Sequence, residues 1–381
     1  MDLNAVRERI NAIDDQIVDL FVERMKASAD VASAKAEKNL PVLDLRREQA
    51  VLEKVMERGG EEFEIYINKL YQTIFDISKS YQAGLLTKET ALSEEILKNI
   101  ADPHMEFPRK AVVACQGVEG SYAARACDRL FALPSKMYFS NFESVFNAVE
   151  SGLCRYGVLP IENSSAGSVT EVYDLMVRHK FYIVKSIKLH ISHALLAKPG
   201  VKLEELCTVY SHEQGLMQCE AFLDTHRDWK RVPALDTAGS AKQVAETGDR
   251  TAAAICSRRA ARRYGLEILA EGINYNRENY TRFVLVSPVM ELRAGRDTIS
   301  ALFRLPHQSG SLHEILTVFS VQGLNLEKLE SRPIPGRGWE YLFFLEFSGD
   351  LAAPGMDGVL QELGQLSSQF RVLGNFRGYR P

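Results

Sequence analysis

Long apolar runs are missing from this chain. Although 46% of its 381 residues are hydrophobic, no stretch approaches the roughly 18 residues a membrane-crossing helix needs. That apolar material builds cores instead, and the length suits roughly two to four domains. Surplus basic charge is missing too: 46 Lys and Arg stand against 50 Asp and Glu, a formal net charge of −4. That balance argues against a general nucleic-acid binder. Paired cysteines are absent. The six present are scattered singly with no C-x-x-C pair, in a chain large enough not to need disulfides. The opening MDLNAVRERI lacks the basic and then apolar regions of a secretory signal. The expectation is a reduced, soluble, cytoplasmic protein with no nucleic-acid or membrane partner.

Helix breakers are scarce from Leu3 to about Gln82: Pro41 interrupts once, and RGGEE at 58–62 makes a turn. One very long helix and two shorter ones follow from this, an all-α region over 1–84. The polar stretch 85–108 reads as a linker. From Lys110 the pattern changes. KAVVAC, RYGVLPIE, FYIVKSI and TAAAICS are strand-like runs beside helical segments such as NFESVFNAVESG and SRRAARRYG. That alternation predicts an α/β domain over 109–289 with two lobes and a cleft. After Thr298 the order is strand, helix, strand, strand, helix, strand, the α+β ferredoxin-like succession, over 296–381.

The first helix sets a question. Leu3, Val6, Ile10, Ile13, Ile17 and Leu20 recur at spacings of three and four, the stripe of a helix packed on other helices. The next place in the series is Arg24. A lone arginine there is usually a boundary residue that snorkels to solvent. However, Lys35 lies three turns on and nearly on the same face, and the residues between, ASADVASA, are small. Asp44 in DLRRE can cap the next helix and place Arg47 and Glu48 on its first turn. A cavity so rich in cations suits a small dicarboxylate, which Arg forks bind in bidentate fashion.

This segment resembles the all-helical chorismate mutase domain. Arg7, Arg24, Lys35, Asp44, Arg47, Glu48, Ser78 and Gln82 stand where that family's active-site pattern places such residues. The resemblance implies a Claisen rearrangement of chorismate to prephenate, without cofactor. Arg7, Arg24 and Arg47 are expected to neutralise carboxylates with help from Ser78. Lys35 and Gln82 would donate to the ether oxygen, and Glu48 with Asp44 would take the ring hydroxyl. Arg7 and Arg24 are 17 residues apart, about 25 Å along one helix, so they cannot grip one small molecule. The expectation is a homodimer or higher assembly whose sites are composite, each long helix lending Arg7 to its partner.

Four stretches of the middle region carry hydroxyls and amides: GVEGSYA (117–123), LPIENSSAGSV (159–169), YSHEQGLMQC (210–219) and NYTRF (279–283). Their plainer readings are a strand–glycine–helix turn, a capping loop with Ser168 or Thr170 as N-cap, another helix start, and an edge-strand salt bridge. Together they resemble prephenate dehydratase. PIENS and TRF are specific, although Glu213 stands where that family usually has proline. The resemblance implies loss of carbon dioxide and the ring hydroxyl from prephenate. Thr281 would act as donor to the leaving hydroxyl, Asn163, Ser164, Ser211 and Gln214 would orient it and the substrate, and Arg282 would hold a carboxylate. HISH at 190–193 hints at a metal, but on one strand i and i+3 face opposite ways, so no metal is expected.

SGSLHEIL and LEKLESRP resemble an ACT domain of the phenylalanine-responsive kind. That implies phenylalanine as effector, bound by Gly310, Ser311, Leu312, Glu330, Ser331, Arg332 and Pro333. The combined reading is an isomerase and lyase of phenylalanine biosynthesis under feedback control. Two others stay open: a prephenate or arogenate dehydratase whose N-terminal domain only dimerises, and a non-catalytic two-lobed solute sensor.

Overall fold

The computed structural model describes residues 2–38, 44–85, 94, 96, 98, 107–308, 310–334 and 340–378. The Pro41 break and most of the expected linker, 85–108, lie outside the described residues. Three helices open the chain: α1 (Leu3–Glu37), α2 (Leu45–Gly59) and α3 (Glu64–Leu85). Then come β1 (Lys110–Gln116), α4 (Tyr122–Leu130), β2 (Leu133–Phe139), α5 (Phe142–Glu150), β3 (Tyr156–Asn163), β4 (Gly167–Ser168), α6 (Thr170–His179) and β5 (Tyr182–His190). Next are β6 (Ala194–Ala197), β7 (Thr208–His212), α7 (Glu213–Gln218), α8 (Glu220–Leu223), β8 (Lys230–Ala234), α9 (Thr237–Glu246), β9 (Ala252–Cys256), α10 (Arg258–Tyr264), β10 (Glu267–Glu271) and β11 (Tyr280–Ser287). The chain closes with β12 (Thr298–Arg304), α11 (Ser311–Val321), β13 (Leu326–Pro333), β14 (Tyr341–Ser348), α12 (Met356–Leu366) and β15 (Gln369–Phe376). Among the described residues no helix is long and apolar enough to cross a membrane.

Two compact units result, Met1–Lys98 with Ile299–Val372, and Asn99–Thr298 with Leu373–Pro381. In the first, Asp2 and Asp44 cap α1 and α2 by accepting from the backbone N–H of Asn4 and Arg47. Gly60, at φ +74°, ends α2 in a conformation that glycine adopts without strain. The apolar stripe of α1 is a correction to the expected inward packing: Leu3, Ile10, Ile13, Ile17 and Leu20 are 45–65% exposed. Only Ser28 and Ala32 of this helix are buried. The periodicity marked an apolar face, but no described residue covers it.

Helix α3 has two working faces. Ser78 and Gln82, one turn apart, meet Arg24 and Ser28, one turn apart on α1, so the two helices run parallel where they touch. Ser80, about 200° from Ser78 around the helix, faces the end of the sequence. Its Oγ donates to Glu362 Oε2 on α12 at 2.9 Å and accepts from Gln322 Nε2, just past α11, at 3.1 Å. Burial raises the Glu362 carboxyl above the usual range. The first and last parts of the sequence thus share one packed unit. The last part forms a four-stranded sheet in the order β13-β14-β12-β15, with α11 and α12 packed together.

The second unit has two lobes. One sheet runs β2-β1-β3-β11-β5 with β4 paired to β3, and the other runs β10-β6-β9-β7-β8. Val113, Tyr156, Val158, Phe283 and Leu285 fill the first core; Leu195, Val209, Trp229 and Ile255 fill the second. Two expectations change here. PIENSSAGSV is a tight β3–β4 hairpin rather than a capping loop, pairing Glu162 with Ser168 and Asn163 with Gly167. Helix α6 is then entered from Val169 without a side-chain cap. TRF lies not on an edge but on β11, antiparallel between β3 and β5.

Candidate active sites

In the first unit Arg24 is half-buried, its guanidinium 5.8 Å from the Phe75 ring centroid and donating to Ser78 Oγ at 2.5 Å. Burial lowers its pKa, yet a guanidinium stays charged in proteins. Ser78 donates its proton to the Ile74 carbonyl at 2.7 Å, so its oxygen is left to hold Arg24. Gln82 Nε2 donates to Ser28 Oγ at 2.7 Å, and its Oε1 is buried with no hydrogen-bond partner among the described residues. One N–H of that amide is still available to a ligand. Ser28 was not singled out in the sequence, where it counted as one of several small residues leaving room.

Glu48, on the first turn of α2, lies 3.8 Å from Lys79 Nζ, and Lys79 also pairs with Asp76 at 3.1 Å. Burial pushes the Glu48 carboxyl up, while Lys79 and Lys35 oppose that shift. Lys35 therefore lies within electrostatic reach of Glu48. Asp44 and Arg47 stand exposed at the start of α2, and Arg7 is exposed on the first turns of α1. The structure thus brings Arg24, Ser78 and Gln82 together directly and Glu48 with Lys35 through their fields. It leaves Arg7 far along α1.

In the second unit a cavity of about 270 Å³ opens between the lobes, lined by Asn163, His193, Gln214, Gln218, Thr281 and Phe283 among others. Thr281 and Asn163 face each other across β11 and β3, and the register shifts one pair further on, between Arg282 and Phe283, a device that re-aims side chains beside sites. Asn163 Nδ2 donates to Thr281 Oγ1 and to Asn279 Oδ1, both at 2.8 Å. Asn163 Oδ1 accepts from the backbone N–H of Ser165 and Ala166, both at 3.0 Å. Gln214 lines the cavity on the first turn of α7, which His212 caps from its side chain.

Three expected residues lie elsewhere. Arg282 follows Thr281 on a strand and so takes the other face; its Nε lies 3.5 Å from Glu162 on the neighbouring strand, an ion pair within the sheet. Ser211 is fully buried and donates to the Ile255 carbonyl at 2.8 Å, tying β7 to β9. Ser164 is exposed and accepts from the Tyr280 backbone N–H at 2.9 Å, closing the hairpin onto β11. Among the described residues no Lys or Arg lines this cavity. HISH is not one strand: β5 ends at His190, which bonds the Arg277 carbonyl, while His193 is buried beside Gln218. His193, Gln218 and Asn279 join the site without having been expected: they lie in HISH, YSHEQGLMQC and NYTRF, but a stretch does not say which of its side chains converge.

A larger cleft of about 1080 Å³ lies beyond Tyr122 and is walled by the arginines of α10. Its charges are engaged across the lobes, Arg259 with Asp128 and Arg263 with Glu119, both at 2.6 Å. The smaller cavity, with its converging amides and hydroxyl, has the chemistry of a site. At the start of α11, Gly310 is left-handed at φ +93°. Glu330, Ser331, Arg332 and Pro333 end β13, an edge strand, where Lys328 lies 3.4 Å from Glu330.

The family model for chorismate mutase type II matches residues 6–83, and that for prephenate dehydratase matches residues 113–291. The bifunctional chorismate mutase/prephenate dehydratase of Escherichia coli K12 is 33% identical over 382 aligned residues, covering 98% of this chain and 95% of that one. An arogenate dehydratase/prephenate dehydratase of Arabidopsis thaliana is 34% identical over 79% of this chain and 80% of its own. Among solved structures, the prephenate dehydratase of Arthrobacter aurescens in complex with L-Phe is 30% identical, with a TM-score of 0.63 over 70% of this chain and 89% of that one. The chain belongs to the family of bifunctional chorismate mutase/prephenate dehydratases.

Proposed function

We propose that this chain converts chorismate to prephenate and prephenate to phenylpyruvate, the first in its helical region 1–84 and the second in region 109–289. The observation that carries this reading is the single similarity running through both regions over 98% of the chain. The rearrangement breaks a C–O bond and forms a C–C bond within one molecule, without proton transfer. The protein has to hold a compact conformer and stabilise developing charge. Arg24, held by Ser78, takes one carboxylate and Arg47 assists. Lys35 and the free N–H of Gln82 donate to the ether oxygen, while Glu48, supported from Asp44, meets the ring hydroxyl. Arg7 completes the site from a second copy of the chain.

The bare stripe on α1 supports that assembly: an apolar face of this length is covered by a partner in solution, and two identical helices crossing antiparallel bury one another's stripes. The test is to mix Arg7→Ala and Arg24→Ala chains, each inactive as a mutase. Composite sites restore about a quarter of wild-type activity at random pairing, because half the dimers then carry one intact site. Recovery no greater than either variant alone would rule out shared sites.

In the dehydratase reaction the bond to the ring carboxylate breaks, its electrons aromatise the ring, and hydroxide leaves with a proton, giving carbon dioxide and water. Thr281 donates to the departing oxygen, and Asn163 and Gln214 orient the substrate. Region 296–381 is an ACT-type module with the ferredoxin-like succession. Phenylalanine binds at Gly310, Ser311, Leu312 and the Glu330–Pro333 strand end, and lowers dehydratase activity by favouring a less active state. The Arthrobacter relative's complex with L-Phe supports that effector. Six free thiols, five of them buried, fit a reducing cytoplasm.

A further inference from the structure

Four side chains of the dehydratase cavity form one hydrogen-bonded row with a single direction. His193 Nε2 lies 3.0 Å from Gln218 Oε1, Gln218 Nε2 donates to Asn163 Oδ1 at 3.5 Å, and Asn163 Nδ2 donates to Thr281 Oγ1 at 2.8 Å. Independent partners fix each amide. Gln218 Oε1 also accepts from Asn279 Nδ2 at 3.0 Å, and Asn163 Oδ1 also accepts two backbone N–H groups. Both oxygens are therefore acceptors and both nitrogens donors.

The direction fixes the histidine as well. An amide oxygen cannot donate, so His193 Nε2 carries the proton and Nδ1 is the bare nitrogen of a neutral ring. Nδ1 is buried with no hydrogen-bond partner among the described residues, and burial lowers the pKa of this histidine, both of which favour the neutral form. The ring is 3% exposed. Its own backbone N–H is held by Asn274 Oδ1 at 3.1 Å, and Tyr122 stands edge-on with ring centroids 6.1 Å apart. Each link of the row runs from donor to acceptor toward Thr281. The Thr281 oxygen is occupied as an acceptor, and its own proton is the one left over.

We infer that His193 is a positioning residue for the dehydratase reaction, anchoring the Gln218–Asn163 row so that the Thr281 hydroxyl is presented as a donor into the cavity. Without the anchor, Gln218 Oε1 keeps only Asn279 as a partner, the long Gln218–Asn163 link loosens, and the Thr281 hydroxyl is presented less firmly to the substrate. Aligned amide dipoles also polarise one another in a low-dielectric pocket, which makes the terminal hydroxyl a better donor than an isolated threonine. The inference rests on the reading of Thr281 as donor to the leaving oxygen.

The test compares His193→Leu, His193→Gln, Thr281→Ala and the His193→Leu/Thr281→Ala double variant of the full chain, with prephenate as substrate. His193→Leu is expected to lower dehydratase kcat by about 10- to 100-fold, the cost of a misplaced group, with KM changed less than about threefold. His193→Gln carries an N–H near the position of Nε2 and restores most of the rate. The double variant falls no further than Thr281→Ala alone, because both act through one hydroxyl. Mutase activity in the same preparations reports intact protein, and Gln218→Met breaks the next link should His193→Leu not fold. Wild-type kcat in His193→Leu or Gln218→Met beside a dead Thr281→Ala would overturn the inference and spare the Thr281 reading. So would a change confined to KM, equal losses in the Leu and Gln variants, or additive losses in the double variant. Undiminished turnover in Thr281→Ala would overturn both.

Discussion

Thr281→Ala is expected to reduce dehydratase turnover by about 10²- to 10⁴-fold and to leave the mutase rate unchanged. A threonine is a poor acid by pKa, so its value lies in placement. Asn163 Nδ2 occupies the Thr281 oxygen at 2.8 Å, which leaves the hydroxyl proton for the substrate. Aromatisation supplies most of the driving force, and the enzyme needs only to ease hydroxide out of the pocket. Alanine removes that donor and keeps the strand, since Thr281 pairs with Asn163 and Leu189 through its backbone. Serine in its place retains most of the rate. Rates measured separately with chorismate and with prephenate distinguish the outcomes: equal loss of both activities indicates unfolding, and full dehydratase turnover means that another group donates.

Arg24→Ala is expected to cost the mutase about 10²- to 10³-fold in kcat/KM, the range for losing one preorganised charge partner, or about 3–4 kcal/mol of transition-state stabilisation. The guanidinium is already held by Ser78 and rests beside Phe75, so it meets a carboxylate without first being ordered. Lysine at this position recovers little, because a point charge on a flexible stem cannot hold Ser78 and a carboxylate through one planar fork. Dehydratase activity is untouched. A mutase rate within about threefold of wild type would return Arg24 to the role of a boundary residue.

The fold was legible where periodicity is local. Spacings of three and four identify α1, short apolar runs flanked by helices identify the two-lobed domain, and the end of the chain shows its strand–helix succession. The apolar stripe of α1 was legible as a stripe, but what covers it is not encoded within one helix. At the sites, residues inside motifs were found, although a motif does not say which way its side chains turn. Alternation along β11 sends Arg282 away from Thr281 into an ion pair with Glu162, and Ser211 turns inward to a backbone carbonyl. His193 and Gln218 were missed because their meaning is tertiary. A histidine before ALLA and a glutamine within α7 become neighbours only in the folded lobe, where β6 and β7 share one sheet.

The most direct test gives the purified chain chorismate alone and follows prephenate and phenylpyruvate over time, with and without phenylalanine. The account predicts prephenate rising and then falling as phenylpyruvate accumulates, with phenylalanine suppressing the second step. If chorismate is left untouched while added prephenate is consumed, the helical region is a dimeriser and the role given to Arg24 is contradicted.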